Sequence, residues 1–374
     1  MSDSEYSDPE PPAAPLAYVP ALESIQPDEA ETTTAIIDTL RGISETTADR
    51  YGHAVRSVHA KSLALLQGNL SVLDDLPPSL AQGLFAKPGS YPLVMRFSTS
   101  PGDLIDDRIS TPRGLAIKVM GVPGARLDPH DGASTQDFIL IDGPAFVAAE
   151  PKAFAKSLKL LASTTDKAEG LKKVLSSALR GLEAVVEALG EESSTLISLG
   201  GHPITNPLGE TYYSQTPYRY GDYAAKFSVA PVSSLLTALT KAPVDLADNP
   251  DGLRAALTDF FRANGGEWEL RVQLYTDPEE TPIEDASVPW PEDESAFVPV
   301  ARIEAAAQNA WSPERSAAID DGLSFSPWHC LAAHQPLGGI NRARKEAYLM
   351  SAEFRSQRNG CPIYEPHVPE NLPA

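Results

Sequence analysis

Only two of the 374 residues are cysteine, Cys330 and Cys361. Two thiols cannot make a disulfide framework, and no CxxC spacing offers a metal or redox pair. Positive charge is equally scarce: 30 lysines and arginines stand against 51 aspartates and glutamates, for a net charge of −21. A surface that binds nucleic acid or an anionic membrane needs a basic footprint, so neither partner is expected, and the excess acid is read as an aid to solubility. No apolar run reaches the roughly 18 residues of a membrane span. The opening MSDSEYSDPEPP has neither the basic nor the apolar region of a secretory leader. A Gly-rich phosphate loop, an HExxH and a G-x-S-x-G are all missing, which removes the commoner motif-based enzyme classes from view. These absences predict a soluble, cytoplasmic protein of a reducing compartment.

What is present is a globular composition, 42% hydrophobic, with chain enough for a sizeable core. Residues 1–30 carry six prolines and read as an acidic, disordered or extended arm, leaving 31–374 as one domain. A helix is predicted over 29–43, where Ile36, Ile37, Leu40 and Ile43 share a face. Strand-like runs follow, AVRSVHAKSLALLQGNLSVL, YPLVMRFSTS, RGLAIKVMGV and TQDFILIDGP, short and rich in β-branched residues. The period then becomes helical across an insertion at 148–200, with one face of Phe154, Leu158 and Leu161 and another running from Leu171 to Leu189. Strands resume at ETYYSQTP and YAAKFSVAPV, then come a helix at 251–263, the alternation Trp268, Leu270, Val272, Leu274, and FVPVARIE. The chain closes on a helical NRARKEAYLMSAEFR, stopped by Asn359-Gly360 and Pro362. Strands first and last around a helical block give an α+β fold on an antiparallel sheet or barrel.

Two regions could carry chemistry. In RSVHAK, strand alternation would put Ser57 and His59 on one face and Arg56 and Val58 on the other; in MRFST, Arg96 and Ser98 would share a face, with Ser98 able to orient a neighbouring imidazole. A lone strand histidine is more often structural than catalytic. On the terminal helix, Arg344, Tyr348 and Arg355 fall within about 40° of one another. Arginine and tyrosine four residues apart touch across one turn. On a solvated face this does nothing; in a buried site it makes a phenolate, a ligand for ferric iron. Helical geometry alone favours a solvated or partner-binding stripe. His329, Cys330 and His334 fit no standard metal spacing, and His53, His130, His202 and His367 read as loop or surface residues. The tyrosines of YYSQTPYRYGDY read as strand packing, with a cavity wall among them.

Taken together, RSVHAK, MRFST with STPRGLAIKV, TQDFILIDGPAF, DASVPWPEDES, LSFSP and RARKEAY resemble the haem catalases, in order and approximate spacing, from about Tyr51 to Asn359. The likeness is to the compact, catalase-related branch. It implies an eight-stranded antiparallel β-barrel with surrounding helices, a C-terminal proximal helix and a buried haem b with its iron. His59 matches the histidine that shuttles the peroxide proton, with Val58 before it and Arg56 three positions upstream. Ser98 matches the serine that orients this histidine. Arg96 and Arg355 match propionate arginines, Tyr348 the iron ligand, Arg344 the arginine bonded to its phenolate, and Phe325 an aromatic beside the haem. Relatives of this fold commonly assemble, so a homo-oligomer is compatible with the resemblance.

One position departs from the family. Its distal asparagine aligns with Asp142, and a carboxylate cannot donate to peroxide unless protonated. Val147 also falls where an aromatic is expected, leaving Phe146 or Phe154 to replace it. The expected function is a hydroperoxide-metabolising peroxidase or catalase. The alternatives are a fatty-acid hydroperoxide lyase or allene-oxide-synthase-like enzyme, in which threonine is expected where Val58 stands, and a haem-binding barrel without catalysis.

Overall fold

The computed structural model describes residues 14–128, 133–162, 202–246 and 249–366. Most of the expected 148–200 insertion, including the face from Leu171 to Leu189, lies outside these residues, as do His130 and His367. The strands are β1 (Ser62–Val72), β2 (Ser90–Thr99), β3 (Arg113–Val119), β4 (Gln136–Ile141), β5 (Tyr212–Tyr213), β6 (Tyr218–Tyr220), β7 (Tyr223–Pro231), β8 (Gly266–Leu274) and β9 (Val298–Ala305). Neighbours run antiparallel in the order β5-β4-β3-β2-β1-β9-β8-β7-β6, and Tyr212↔Val229 with Tyr213↔Ser228 closes β5 onto β7. The result is a closed eight-stranded barrel, with β6 hanging on β7 as a hairpin outside the ring. The fold is α+β, built on this antiparallel barrel.

Alternation decides which side chains fill the barrel. In β8, Trp268, Leu270 and Val272 are all fully buried. They meet Phe97, Leu115, Ile117, Phe138, Leu140 and Phe227, none more than 2% exposed, in one core. Burial of each such side chain contributes roughly 1.5–3 kcal/mol. Helix Gly252–Ala263 adds Leu253, Leu257 and Phe261 to the same core. A barrel strand facing water on its outer side would alternate, yet β2 and β3 are buried on both faces along most of their length. On their outer side Val94 and Ala116 pack against Ile319, Leu323 and Phe325, and across a cavity stands a layer of three helices: α1 (Glu29–Tyr51), α2 (Pro151–Ala162) and the terminal helix, here αC (Gly339–Asn359). Ile36, Leu40, Ile43, Leu158, Ala343, Ala347 and Met350 form that layer's own core.

α1 runs a full two turns past the expected end at 43. Its face continues beyond Ile43 with buried Thr47 and Ala48, residues too small or polar to extend an apolar pattern. It stops at Gly52, whose φ of 67° is the left-handed C-terminal turn glycine allows. The described part of the N-terminal arm is tied to the barrel end, where the Leu16 amide bonds the Tyr275 carbonyl (2.9 Å) and the Tyr18 amide that of Asp222 (2.8 Å). It then meets αC: Arg342 bonds Glu23 (2.8 Å), Glu29 (2.7 Å) and Glu284 (3.1 Å). These bonds fix the N-terminal end of the helix that carries Tyr348.

A second anchor is ionic and buried. Lys118 Nζ bonds both oxygens of Asp137 at 2.9 Å and Glu365 at 2.7 Å, with Lys118 and Asp137 fully buried. His329 Nδ1 joins at 3.1 Å from Asp137, while His334 accepts from the Leu84 amide (2.9 Å). The two histidines therefore take separate partners instead of converging. Lys118→Met leaves Asp137 buried without its cation. We expect it to lose about 3–5 kcal/mol of unfolding free energy, read as a lowered denaturant midpoint.

Candidate active site between barrel and helices

Between the barrel's outer face and the helical layer lies a cavity of about 680 Å³, its open mouth included. Its barrel wall is made by Arg96 and Ser98 of β2, Gly114, Leu115 and Ala116 of β3 and Ile139 and Leu140 of β4. All but Leu115 and Leu140 share the outward parity, opposite to Phe97 and Phe138. Ala347, Tyr348, Ser351, Ala352 and Arg355 form one stripe of αC, and Leu40 of α1, Ser324 and Phe325 complete the lining. Three of the five αC residues are small, which leaves a slot beside Tyr348.

The segment before β1 supplies Arg56, Ser57, Val58 and His59, all of which line this cavity. The expected strand alternation does not apply here, because β1 begins only at Ser62. His59 has a φ of 54°, a left-handed conformation that costs a non-glycine residue roughly 1–2 kcal/mol. Several bonds hold it there. The His59 and Ala60 amides donate to Ser100 and Pro101 carbonyls (2.8 and 2.9 Å), and Lys61, 4% exposed, bonds Asp107 (2.7 Å), Ile105 (3.0 Å) and Pro250 (2.8 Å). The strained turn brings four consecutive side chains to one pocket, which a flat strand cannot do.

His59 Nδ1 lies 3.1 Å from Ser98 Oγ, and Ser98 Oγ is 3.5 Å from the Gly114 carbonyl. With the hydroxyl proton turned to that carbonyl, the ring carries its own proton on Nδ1 and leaves Nε2 a bare acceptor. Burial, then the nearby Arg96 and Arg344, lowers the His59 pKa to about 3. The imidazole is therefore neutral at ordinary pH. The motif stretch STPRGLAIKV hides one requirement: a Cβ on Gly114 would stand 2.5 Å from His59 Nδ1 and 3.0 Å from Ser98 Oγ. Glycine here makes room for the ring.

Asp142 follows directly on β4 and does not line the cavity. Its Oδ1 accepts from the Arg113 amide (2.9 Å) and its Oδ2 lies 2.9 Å from His202 Nε2. The outward position is Ile141, in register with Gly114. His202, expected at the surface, is 8% exposed because it covers this carboxylate. Val147 is not replaced in the lining by either neighbour: Phe146 and Phe154 pack on each other at 5.0 Å. The tyrosines of YYSQTPYRYGDY contribute Tyr212, Tyr218 and Tyr220 to the barrel core and none to the cavity wall.

On the helix side, Arg344 Nη2 donates to the Tyr348 oxygen (3.1 Å), and Nη1 donates to Asn341 Oδ1 (3.0 Å) and Thr216 Oγ1 (3.3 Å). Asn341 is held in turn by the Pro217 and Leu337 carbonyls. Burial works against the Arg344 charge, but Tyr348 and Tyr218 beside it raise its pKa above the ordinary arginine value. Asn341 stands one turn before Arg344 on αC, while Thr216 carries no motif signal and only the fold brings it to Arg344.

Arg56, Arg96 and Arg355 gather at one end, and a carboxylate absent from the sequence-level site stands behind them. Asp320 Oδ1 accepts from Arg96 Nε (2.7 Å) and Arg56 Nη1 (3.0 Å), and its carbonyl accepts from Arg56 (2.9 Å) and Arg355 (2.5 Å). Arg56 also lies 5.8 Å from the Phe325 ring centroid. The arginines thus rest on protein oxygens where propionates alone were expected. Burial and the neighbouring arginines lower Arg56, and burial lowers Arg355 to about 10, so Arg355 stays cationic at neutral pH. The buried Arg355 Nε has no partner.

This donor set fits a haem. The slot is flanked by small and apolar side chains, a phenol oxygen with an arginine donor faces it, and guanidinium groups with an unpaired buried N–H stand at one end. No family model and no curated protein sequence matches the chain. Solved structures do. A fungal catalase matches with TM-score 0.58 at 18% identity, over 86% of this chain and 65% of its own. Catalase A from Saccharomyces cerevisiae gives 0.56 at 17%, over 84% and 63%, and a bacterial catalase 0.55 at 15%, over 84% and 59%. At such identities the likeness establishes the fold, and this chain spans about three fifths of each of those proteins. Among the described residues, no helix is long and apolar enough to cross a membrane.

Proposed function

We propose that this chain binds haem b through Tyr348 and metabolises hydroperoxides, as a peroxidase or catalase, with His59 moving the peroxide proton. The observation that carries the reading is that one cavity is lined by both a neutral imidazole with a free Nε2 and a tyrosine oxygen held by a buried arginine. Bound haem iron would supply the electrons that break the O–O bond. The chain does the rest. Nε2 of His59 takes the proton from one peroxide oxygen and returns it to the other, so that water or an alcohol leaves. Ser98 fixes the ring for both transfers. Arg56, Arg96 and Arg355 would draw carboxylates to the slot's end by charge, Arg355 with its unpaired Nε–H.

The decisive experiment is a visible spectrum after haem supplementation, followed by oxygen release from hydrogen peroxide and oxidation of a phenolic dye. A Soret band with either turnover supports the reading, and no Soret band removes it. The apolar lining by Ala116, Ile139 and Leu140 favours a second reading, rearrangement of a fatty-acid hydroperoxide. Loss of the conjugated-diene absorbance of a lipid hydroperoxide without added reductant would select it, and Val58 in place of threonine weighs against it. Gly114→Ala drives a methyl into the imidazole. A misplacement of this size should lower peroxide turnover roughly hundredfold with the Soret band retained, measured as initial rate on haem-replete protein.

A further inference from the structure

Two of the three cavity arginines, Arg56 and Arg96, share one carboxylate that no ligand brings, and the third, Arg355, bonds the backbone carbonyl of the same residue. Asp320 is buried behind them, bonded by Arg96, Arg56, Ser62 Oγ (2.7 Å) and Ser316 Oγ (2.7 Å), and it does not itself line the cavity. Arg96 is 2% exposed, and side-chain exposures of Arg56 and Asp320 are 13% and 15%. The neighbouring Asp321 turns instead to His53 Nε2 at 3.0 Å. Three buried cations without an internal anion would repel each other in a low-dielectric site, a costly state for a folded chain with no ligand. One carboxylate lowers that cost and leaves positive charge in excess at the cavity, which an anionic ligand can neutralise.

The geometry assigns Asp320 to a positioning role: it is the built-in counter-anion of the arginine triad, which keeps the empty site folded and sets how strongly the site draws a dicarboxylate macrocycle. Its use for haem rests on the proposed function; its effect on the ligand-free protein does not. Asp320 fixes the guanidinium groups from behind, with Arg96 held through Nε and Arg56 through Nη1. The ligand therefore meets arginines already aimed. The same charge opposes the ligand's own carboxylates across the guanidinium groups.

The test is Asp320→Asn, which keeps the shape and removes the charge. Without haem, the variant should melt several degrees below the parent. With haemin it should bind roughly tenfold more tightly than the parent, since a nearby repelling charge in a partly desolvated site is of that order. Haemin dimethyl ester, which lacks both carboxylates, should show no such gain. An unchanged melting temperature of the ligand-free variant, weaker haemin binding, or an equal gain with the ester would each overturn the assignment. Should Asp320→Asn not fold, Arg96→Gln in the same chain removes one cation and should restore the fold; failure to restore it also overturns the assignment. If neither parent nor variant develops a Soret band, the haem reading fails, and the ligand-free melting comparison with the Arg96→Gln double variant still decides the role of Asp320.

Discussion

His59→Gln should lower peroxide turnover by about 10²–10⁴-fold, the range a positioned general acid-base group contributes, while the Soret band stays. The substitution keeps a polar side chain of similar reach against Ser98 but removes a nitrogen able to take and return a proton. Its pH profile separates this role from packing. The pKa of His59 falls from 6.5 to about 3 through burial first, then through Arg96 and Arg344. The working form is neutral, so the parent's rate should be level through the neutral range and decline only as pH approaches 3. A bend near 6.5 would mean an exposed imidazole and a different site. The same shift has a stability consequence with the opposite requirement. Between about pH 3 and 6.5 the unfolded chain holds a proton on this ring that the folded chain does not, so stability rises with pH across that window. His59→Gln should flatten the slope there, read from denaturant midpoints at pH 4 and 7.

How much of this was legible beforehand varies from residue to residue. The terminal helix could be read well: its stop at Gly360 and the Arg344–Tyr348 pair follow from period and caps alone. Which way that pair faces could not. The solvated stripe favoured by helical geometry loses because αC is packed on α1 and α2, and helix-helix contact is not a property of one segment. Ser98 and Arg96 share a face, as two-residue spacing requires, but His59 escapes the same rule because Ser100, Pro101 and the Lys61 anchor pull its backbone to positive φ. Asp142 shows the converse. Resemblance pointed to the residue just after β4, and there the carboxylate turns to the Arg113 amide and to His202 instead of lining the cavity. Asp320 gave no signal, since its partners lie 224 and 264 residues away. A carboxylate in a run of AAIDD reads as solvated charge until the arginines are placed around it.

Tyr348→Phe should cost haem affinity more than about a hundredfold, exceeding the 10–100-fold that loss of an outer-shell partner costs. The change removes one oxygen and leaves the ring, which keeps Arg344 5.3 Å from its centroid. Arg344 also keeps Asn341 and Thr216 at 3.0 and 3.3 Å. The ligand-free fold should therefore lose no more than about 1 kcal/mol, the worth of one hydrogen bond. That pairing of a large binding loss with a small stability loss is what identifies a ligand. A purely structural tyrosine would show the reverse, a lowered melting temperature with haem uptake intact. Asn341→Ala supplies the graded control. It leaves the phenol oxygen in place but frees Arg344 to move, and the affinity should fall about tenfold, within the outer-shell range. If Tyr348→Phe takes up haem as the parent does, with an unshifted Soret band, the iron is held elsewhere and the αC stripe is only a wall.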